Sequence, residues 1–159
     1  MCTTHTSADG QYRVLVVRRG YSGASTYIGR LFQGERGSVL ANPRSLRDGW
    51  ERGETLVHYE RELRAALDRG VTVATWNGRV LGEGEREAMR AEMNRLFAAL
   101  RERGVLALRC FCAPLACHGD VIARLLLEKL EAWLAGTHRP AAAPDPVLGG
   151  LLEAAGGVG

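Results

Sequence analysis

The feature that most constrains the fold is a rhythm of helix and glycine that occurs three times along the chain. Segments with apolar residues at helical spacing precede Gly70, Gly104 and Gly136. Glycine readily adopts the left-handed conformation that ends a helix, so we expect each helix to end at its glycine. Short β-rich runs predict strands near the start of the chain and after the first two glycines: YRVLVVRR, VTVATW and VLALRCFC.

This alternation predicts an α/β fold. We expect a single domain with a mostly parallel sheet of about 3–5 strands, flanked by helices in a Rossmann-like three-layer arrangement. Another strand is expected around residues 26–29. A length of 159 residues suits one domain over residues 11–136. Residues 1–10 are expected to form an N-terminal tail, and residues 137–159, rich in Ala, Pro and Gly, a flexible C-terminal tail.

Charge and composition limit the partners. The net charge is only +3 and the arginines are spread along the chain, so direct binding to nucleic acid is not expected. Arginine suits phosphate and carboxylate groups, which favours a small anionic or nucleotide-like ligand. No apolar run is long enough to cross a bilayer, and the N-terminus lacks a signal-peptide pattern, so we expect a cytoplasmic protein with no membrane partner. Cysteines in that compartment indicate metal ligands, reactive thiols or small buried residues before disulfides.

Side chains that can bind a metal or take part in catalysis are concentrated in CFCAPLACHGD, residues 110–120. Open α/β sheets bind ligands beyond the carboxyl ends of their strands, where helix N-termini offer free N–H groups. The motif follows one predicted strand, and the other two strands end at Arg18 and Arg19 and near Asn77. We therefore expect these three ends to line one crevice, with the following residues binding the ligand: Arg18, Arg19, Arg30, Asn42 and Asn77.

One interpretation of the motif is an enzyme site. Pro114 should turn the chain out of the sheet and into a helix that begins near Cys117. A thiolate at a helix N-terminus is stabilised, which makes Cys117 the candidate nucleophile. In this hypothesis His118 is the acid–base group, and Asp120 orients it or caps the helix.

Metal binding is the alternative interpretation. Cys110 and Cys112 would share a strand face, and together with Cys117 they resemble a zinc or iron–sulfur ligand set. The spacing is unusual, because adjacent Cys117 and His118 are not expected to reach one tetrahedral ion together. The fourth ligand would then be His58 or solvent. Buried cysteines without a function are a further alternative, since free cysteine is among the most buried residue types.

Four segments together resemble a family of short bacterial and phage proteins described only as a domain of unknown function. They are YIGR at 27–30, NP at 42–43, Tyr59, and the motif at 110–120. The resemblance covers residues 12–130; it departs at ANPRS, where the family tends to have GNPF, and at Phe111, where tryptophan is usual. It implies which residues form the site and supplies no reaction.

The sequence thus leaves three functional hypotheses. The first is an enzyme that binds or processes a nucleotide, a nucleoside or another small anionic ligand at a Cys/His/Asp site. The second is a metal-binding module that holds zinc or an iron–sulfur cluster. The third is a non-enzymatic nucleotide sensor, which would bind such a ligand without forming a product.

Overall fold

The computed structural model describes residues 2–113 and 115–137, and confirms the α/β class. The strands are β1 (Thr3–Thr6), β2 (Arg13–Val17), β3 (Thr26–Tyr27), β4 (Thr75–Trp76), β5 (Arg79–Val80) and β6 (Val105–Arg109). The helices are α1 (Arg52–Leu67), α2 (Glu83–Arg103) and α3 (His118–Thr137), with a 3₁₀ turn at Leu46–Asp48. The C-terminal tail expected over residues 137–159 lies outside the described residues, except for Thr137, which is the last residue of α3.

The main sheet has four strands in the order β1-β2-β6-β3. β6 is parallel to both β2 and β3, whereas β1 is antiparallel to β2, so the sheet is mixed. The two central strands are rich in valine and leucine, and Val14, Val16 and Leu108 are fully buried. These three side chains lie on the same face of the sheet, which forms part of the core.

The expectation that VTVATW adds a strand to the main sheet was wrong. Only Thr75 and Trp76 are extended, and they pair with Arg79 and Val80 in a separate hairpin. The turn between them is Asn77-Gly78, and both residues have positive φ. An Asn-Gly pair favours a tight hairpin turn, which returns the chain on itself instead of sending it across the sheet.

The N-terminal segment expected as a tail, residues 1–10, contains a strand of the main sheet. Residues Thr3–Thr6 form β1, which pairs with β2 in the register Thr3 to Val16. The threonines of this segment favour an extended backbone, and β2 offers them an unpaired edge. The added strand is what makes the sheet mixed.

The glycines end the helices less uniformly than expected. Gly104 has φ 71° and its N–H donates to the carbonyl of Leu100, so it caps α2 as expected. α1 ends earlier than expected, at Leu67, and α3 continues through Gly136. None of the described helices is long and apolar enough to span a membrane.

All three described helices contact one another, and α2 and α3 both contact β6. Helices on opposite faces of a sheet are separated by it and cannot touch, so these contacts place α2 and α3 in one layer. The three-layer arrangement is therefore not confirmed by the described residues. The core between sheet and helices includes Val14, Val16, Leu106, Leu108, Leu96, Leu100, Ile122 and Leu126.

Candidate metal centre

Three strand ends bring the motif to one edge of the sheet. β2, β6 and β3 are parallel, so their carboxyl ends meet at the same side. The pairing continues just past the strands, where the Cys110 N–H donates to the carbonyl of Val17 and the Ile28 N–H donates to the carbonyl of Arg109. Cys110 thus lies at the edge where ligands are expected in a parallel sheet.

Cys117 and Asp120 shape the start of α3. The Cys117 sulfur accepts the Gly119 N–H at 3.3 Å, and the Asp120 Oδ2 accepts the Cys117 N–H at 2.9 Å. The Cys117 sulfur thus caps one N–H of the first helical turn, and the Asp120 carboxylate caps the N–H of Cys117. The other oxygen of Asp120 lies 2.8 Å from His5 Nε2, which connects β1 to this helix start.

The ring of His118 is held in one orientation. Its Nε2 lies 2.8 Å from the carbonyl oxygen of Ile28, and a carbonyl can only accept, so Nε2 carries the proton. Burial lowers the pKa of His118 and favours the neutral ring. Nδ1 is then the unprotonated nitrogen, and it lies 3.8 Å from the Cys110 sulfur. The edge of this ring packs on Tyr59, whose hydroxyl donates to the Leu40 carbonyl at 2.6 Å.

Cys110, Cys117 and His118 form a compact donor group. Their sulfur and nitrogen atoms all lie within 4.8 Å of one another, and all three residues are buried. The group could hold a metal ion. Adjacent Cys117 and His118 were not expected to reach one ion together, yet their donor atoms lie within 4.8 Å of each other, with the Cys117 sulfur turned toward the Gly119 N–H in the first helical turn.

Cys112 lies at the margin of this group and is half-buried. A hydrogen bond with the Cys110 thiol, together with one from Arg52, lowers the pKa of Cys112 to about 6. The same contact raises the pKa of Cys110, as do its contact with Cys117 and its burial. The pKa of Cys117 is lowered by the Cys110 thiol and by the Gly119 N–H.

Arginines surround the edge beside the sulfur atoms. A shallow depression of about 340 Å³ is lined by Arg18, Arg19, Gly20, Phe111 and Ala113. Arg30 is exposed, and its positive charge contributes to the lowered pKa values of Cys112 and His118. The arginines expected to bind an anion therefore lie close to the motif.

The two asparagines expected to bind a ligand have turn-forming contacts instead. The Asn42 side chain accepts the Arg44 N–H at 3.1 Å. Asn77 occupies the turn of the separate hairpin, and its N–H donates to Glu62 at 2.8 Å. These contacts follow from turn chemistry, and the binding of a ligand by either asparagine stays a prediction.

Sequence reasoning missed two residues of the site. His5 is hydrogen-bonded to Asp120, and its only sequence signal was the β-branched neighbours that place it on a strand. Arg52 donates to the carbonyl of Ala116 at 3.2 Å, and it is one of the groups that lower the pKa of Cys112. No local pattern indicated this contact, because Arg52 lies 64 residues before Ala116.

The described hydrogen bonds do not connect Cys117, His118 and Asp120 into a catalytic relay. The ring of His118 bonds to Ile28, and Asp120 bonds to His5 and to the Cys117 backbone. Cys117 is only 2% exposed. This geometry fits a ligand shell around an ion better than an exposed nucleophile.

Comparison with known proteins identifies the family. The family described as a domain of unknown function (DUF4326) matches residues 15–128, which include the last three residues of β2, all of β6, the motif and the first part of α3. No curated protein and no solved structure matches the chain. The chain therefore belongs to the domain-of-unknown-function family DUF4326.

Proposed function

We propose that this chain is a zinc-binding protein in which Cys110, Cys117 and His118 hold the ion at the carboxyl edge of the sheet. The observation that carries the proposal is the convergence of two sulfurs and one imidazole within 4.8 Å. These three donors come from the end of β6 and the start of α3, so their convergence is a product of the fold.

The donor chemistry favours zinc over the hard cations. Thiolate and imidazole ligands suit zinc, whereas magnesium and calcium prefer oxygen. In a tetrahedral zinc site a sulfur and a ring nitrogen lie about 3.5 Å apart. The distance between Cys110 Sγ and His118 Nδ1 is 3.8 Å, so small side-chain movements suffice.

The environment of His118 supports the same function. A metal-binding histidine usually donates its other N–H to a carbonyl or carboxylate, which fixes the ring and leaves one lone pair for the ion. The contact from His118 Nε2 to Ile28 has this form. A neutral ring is needed for coordination, and burial favours it.

Cys112 is the proposed fourth ligand. It is half-buried and two residues from Cys110 but lies outside the group of atoms within 4.8 Å, so its coordination requires the chain at 111–113 to move toward the ion. Three thiolates and one imidazole would form a closed set of the kind that stabilises structure. Arg52 offsets part of the negative charge of such a set.

Elemental analysis of the anaerobically purified protein tests the proposal. We expect zinc in a one-to-one ratio with the chain. The variants Cys110→Ser and His118→Gln should lose it, whereas Cys2→Ser, which changes an exposed cysteine outside the group, should retain it. A folded wild-type protein that contains no metal and gains no stability from added zinc would contradict the proposal.

Cobalt substitution keeps the test valid if the ligand variants fail to fold. Cobalt bound to the wild-type protein should give thiolate charge-transfer bands and the intense visible bands of a tetrahedral site. Cys112→Ser should weaken the charge-transfer bands if Cys112 is the fourth ligand. Stoichiometric iron with a visible charge-transfer band in the purified protein would instead indicate an iron–sulfur cluster.

A second candidate function is an enzyme or sensor for a small anionic, nucleotide-like ligand. The depression lined by Arg18 and Arg19 favours it, since it adjoins the motif through Phe111 and Ala113. In the enzyme form, Cys117 would be the nucleophile, His118 the acid–base group and Asp120 the carboxylate that positions the helix start.

Incubation with a panel of nucleotides, followed by mass spectrometry, tests this candidate. A new product supports an enzyme, and binding without a product supports a sensor. Normal turnover by Cys117→Ala would remove the nucleophilic role from Cys117. The absence of both binding and product would remove the candidate.

A further inference from the structure

We propose that an exposed surface beside the sulfur group, formed by Phe32, Phe111, Arg18 and Arg19, binds single-stranded nucleic acid. We call it the aromatic–arginine surface. The inference does not depend on a bound metal. It takes the anionic-ligand candidate further by naming the class of ligand.

The aromatic part of the surface consists of two exposed rings in contact. Phe111 is 63% exposed and Phe32 is 41% exposed. Their ring centroids are 5.3 Å apart and their planes are inclined at 60°. One base cannot stack face to face on two rings tilted in this way, but each ring can offer a face to a separate base. Exposed aromatic rings that stack on successive bases are typical of proteins that bind single strands.

The charged part of the surface is adjacent. Arg18 and Arg19 line the same depression as Phe111, and the Arg19 guanidinium lies 5.6 Å from the centre of the Phe32 ring. Arg19 donates a hydrogen bond to the side chain of Gln33, which is neutral and does not offset the positive charge of Arg19. Within the described residues, the Arg18 side chain makes no hydrogen bond or ion pair.

The neighbouring acidic group does not cancel this charge. Glu35 pairs with Phe32 through the backbone, but its carboxylate forms an ion pair with Arg109. The surface therefore has a local positive excess, although the net charge of the whole chain is only +3. Two arginines beside two rings match a phosphate backbone with bases projecting from it.

The shape of the surface favours a single strand over the alternative forms. In a duplex the faces of the bases are covered by their neighbours, so the rings could not stack on them. A free nucleotide usually binds in a pocket that encloses most of it, whereas this depression is shallow and the rings beside it are exposed. A single strand of nucleic acid can bind such an open surface, because the weak contacts along its length add up in the binding free energy.

Fluorescence anisotropy with labelled oligonucleotides of about 12 nucleotides tests the proposal, since single-strand sites span roughly 4–16 nucleotides. The ligands are single-stranded DNA, single-stranded RNA, a duplex of the same sequence, and unlabelled ATP as competitor. We expect a single strand to bind more tightly than the duplex, and the DNA and RNA arms to identify the preferred backbone.

Variants assign the binding to the surface. Phe111→Ala should weaken binding by about fivefold or more, the lower range for loss of one stacked base. Val57→Ala, which changes an equally exposed apolar side chain on α1, is the matched control and should bind as the wild type. Circular dichroism should show the same helix content in both variants.

The arginines are tested through the salt dependence. The double variant Arg18→Ala/Arg19→Ala should lower the slope of log K against log salt by about 1.4, the value for two lost phosphate contacts on a single strand. The control is Arg13→Ala/Arg103→Ala, at the opposite end of the parallel strands, and it should leave the slope unchanged. The proposal is overturned if no oligonucleotide binds, if ATP competes as well as a strand, or if neither variant differs from its control.

Discussion

At the residue scale, the donor group depends on close packing around Gly119. A Cβ atom at this position would lie 2.8 Å from a methyl of Val16, 3.1 Å from Ile28 and 3.2 Å from the Cys117 sulfur. The first of these distances is shorter than a van der Waals contact. Only glycine therefore allows the start of α3 to approach the sheet closely enough for Cys117 and His118 to meet Cys110.

The variant Gly119→Ala should be destabilised. Alanine normally favours a helix over glycine by up to about 1 kcal/mol, but here we expect overpacking against the buried strand, at about 1–3 kcal/mol, to outweigh that gain. Urea unfolding would measure the free energy of unfolding. Gly84→Ala is the matched control, because Gly84 lies in the first turn of α2 with no atom within 4 Å of the added Cβ. Equal stability of the two variants would contradict this account of the packing.

At the element scale, a buried ion pair joins α1 to its neighbours. Glu62 of α1 accepts two hydrogen bonds from Arg44, at 2.8 and 2.9 Å, and a third from the backbone N–H of Asn77. The side chains of Glu62 and Arg44 are only 5% and 4% exposed. One carboxylate thus connects α1 to the loop before it and to the β4-β5 hairpin after it.

Glu62→Gln should lower the free energy of unfolding at neutral pH by about 3–5 kcal/mol, because it leaves the Arg44 charge buried without its partner. Glu54→Gln, on the exposed face of the same helix, is the control and should be close to neutral. Urea unfolding of the three proteins at pH 7 measures both effects. A loss below 1 kcal/mol would show that Arg44 finds another partner.

The same pair predicts a loss of stability in acid. Burial pushes the pKa of Glu62 up, but the hydrogen bonds from Arg44 and Asn77 outweigh it, so the pKa is below its ordinary value. The pair therefore stabilises the fold fully above the unfolded-state pKa of about 4.3, and the stabilisation is lost as the pH falls through the lower folded-state pKa. The difference between wild type and Glu62→Gln should narrow as the pH drops from 7 to about 3. A constant difference would assign the effect to packing instead.

β1 is the element that closes one edge of the sheet. It pairs with β2 over four residues and carries His5, which bonds to Asp120 at the start of α3. A chain without residues 1–7 would expose the apolar strand β2 as a sheet edge, and such edges promote association. Light scattering should detect self-association of this variant, and its Tm should fall. The control variant His5→Ala keeps the strand and should remain monodisperse. If His5→Ala aggregates as the shortened chain does, the loss of the His5 side chain, and not the exposed edge of β2, causes the association.

At the scale of the whole molecule, the proposed zinc ion connects the sheet to α3. An ion that binds only the folded chain stabilises it by about 4 kcal/mol at a concentration of 1,000 times its Kd. Cys110 directly follows β6, whereas Cys117 and His118 lie at the start of α3. The ion would therefore connect the parallel part of the sheet to the helical layer. Global stability should therefore respond to the metal.

Chelation should lower the Tm of the wild-type protein by about 10 °C, since each kcal/mol is worth roughly 2–4 °C in a chain of this size. Differential scanning calorimetry with and without a chelator measures the shift. Cys110→Ser has already lost a ligand, so its Tm should not respond. A wild-type Tm that is unchanged by chelator and by added zinc would show that the centre does not contribute to folding.

Local chemistry let the sequence predict the helices, the two central strands and the edge at which the motif lies. Glycine, helical spacing and β-rich runs act within a few residues, so α2 with its Gly104 cap could be predicted. Turn chemistry could also have corrected one error, because Asn77-Gly78 indicates a hairpin. The residue types of the motif were sufficient to identify Cys110, Cys112, Cys117, His118 and Asp120 as candidates.

Only the tertiary structure decided how those residues are used. The tautomer of His118 depends on Ile28, 90 residues away, and the two oxygens of Asp120 are occupied by His5 and the Cys117 backbone. Pairing between distant strands likewise placed β1 beside β2 and kept VTVATW out of the main sheet. Such contacts cannot be predicted from local periodicity, because they depend on which helices and strands pack together in the folded chain. The sequence by itself determined that cysteine, histidine and aspartate side chains are gathered in one motif, and the packing of α3 against the sheet decided that Cys117 and His118 lie close to Cys110.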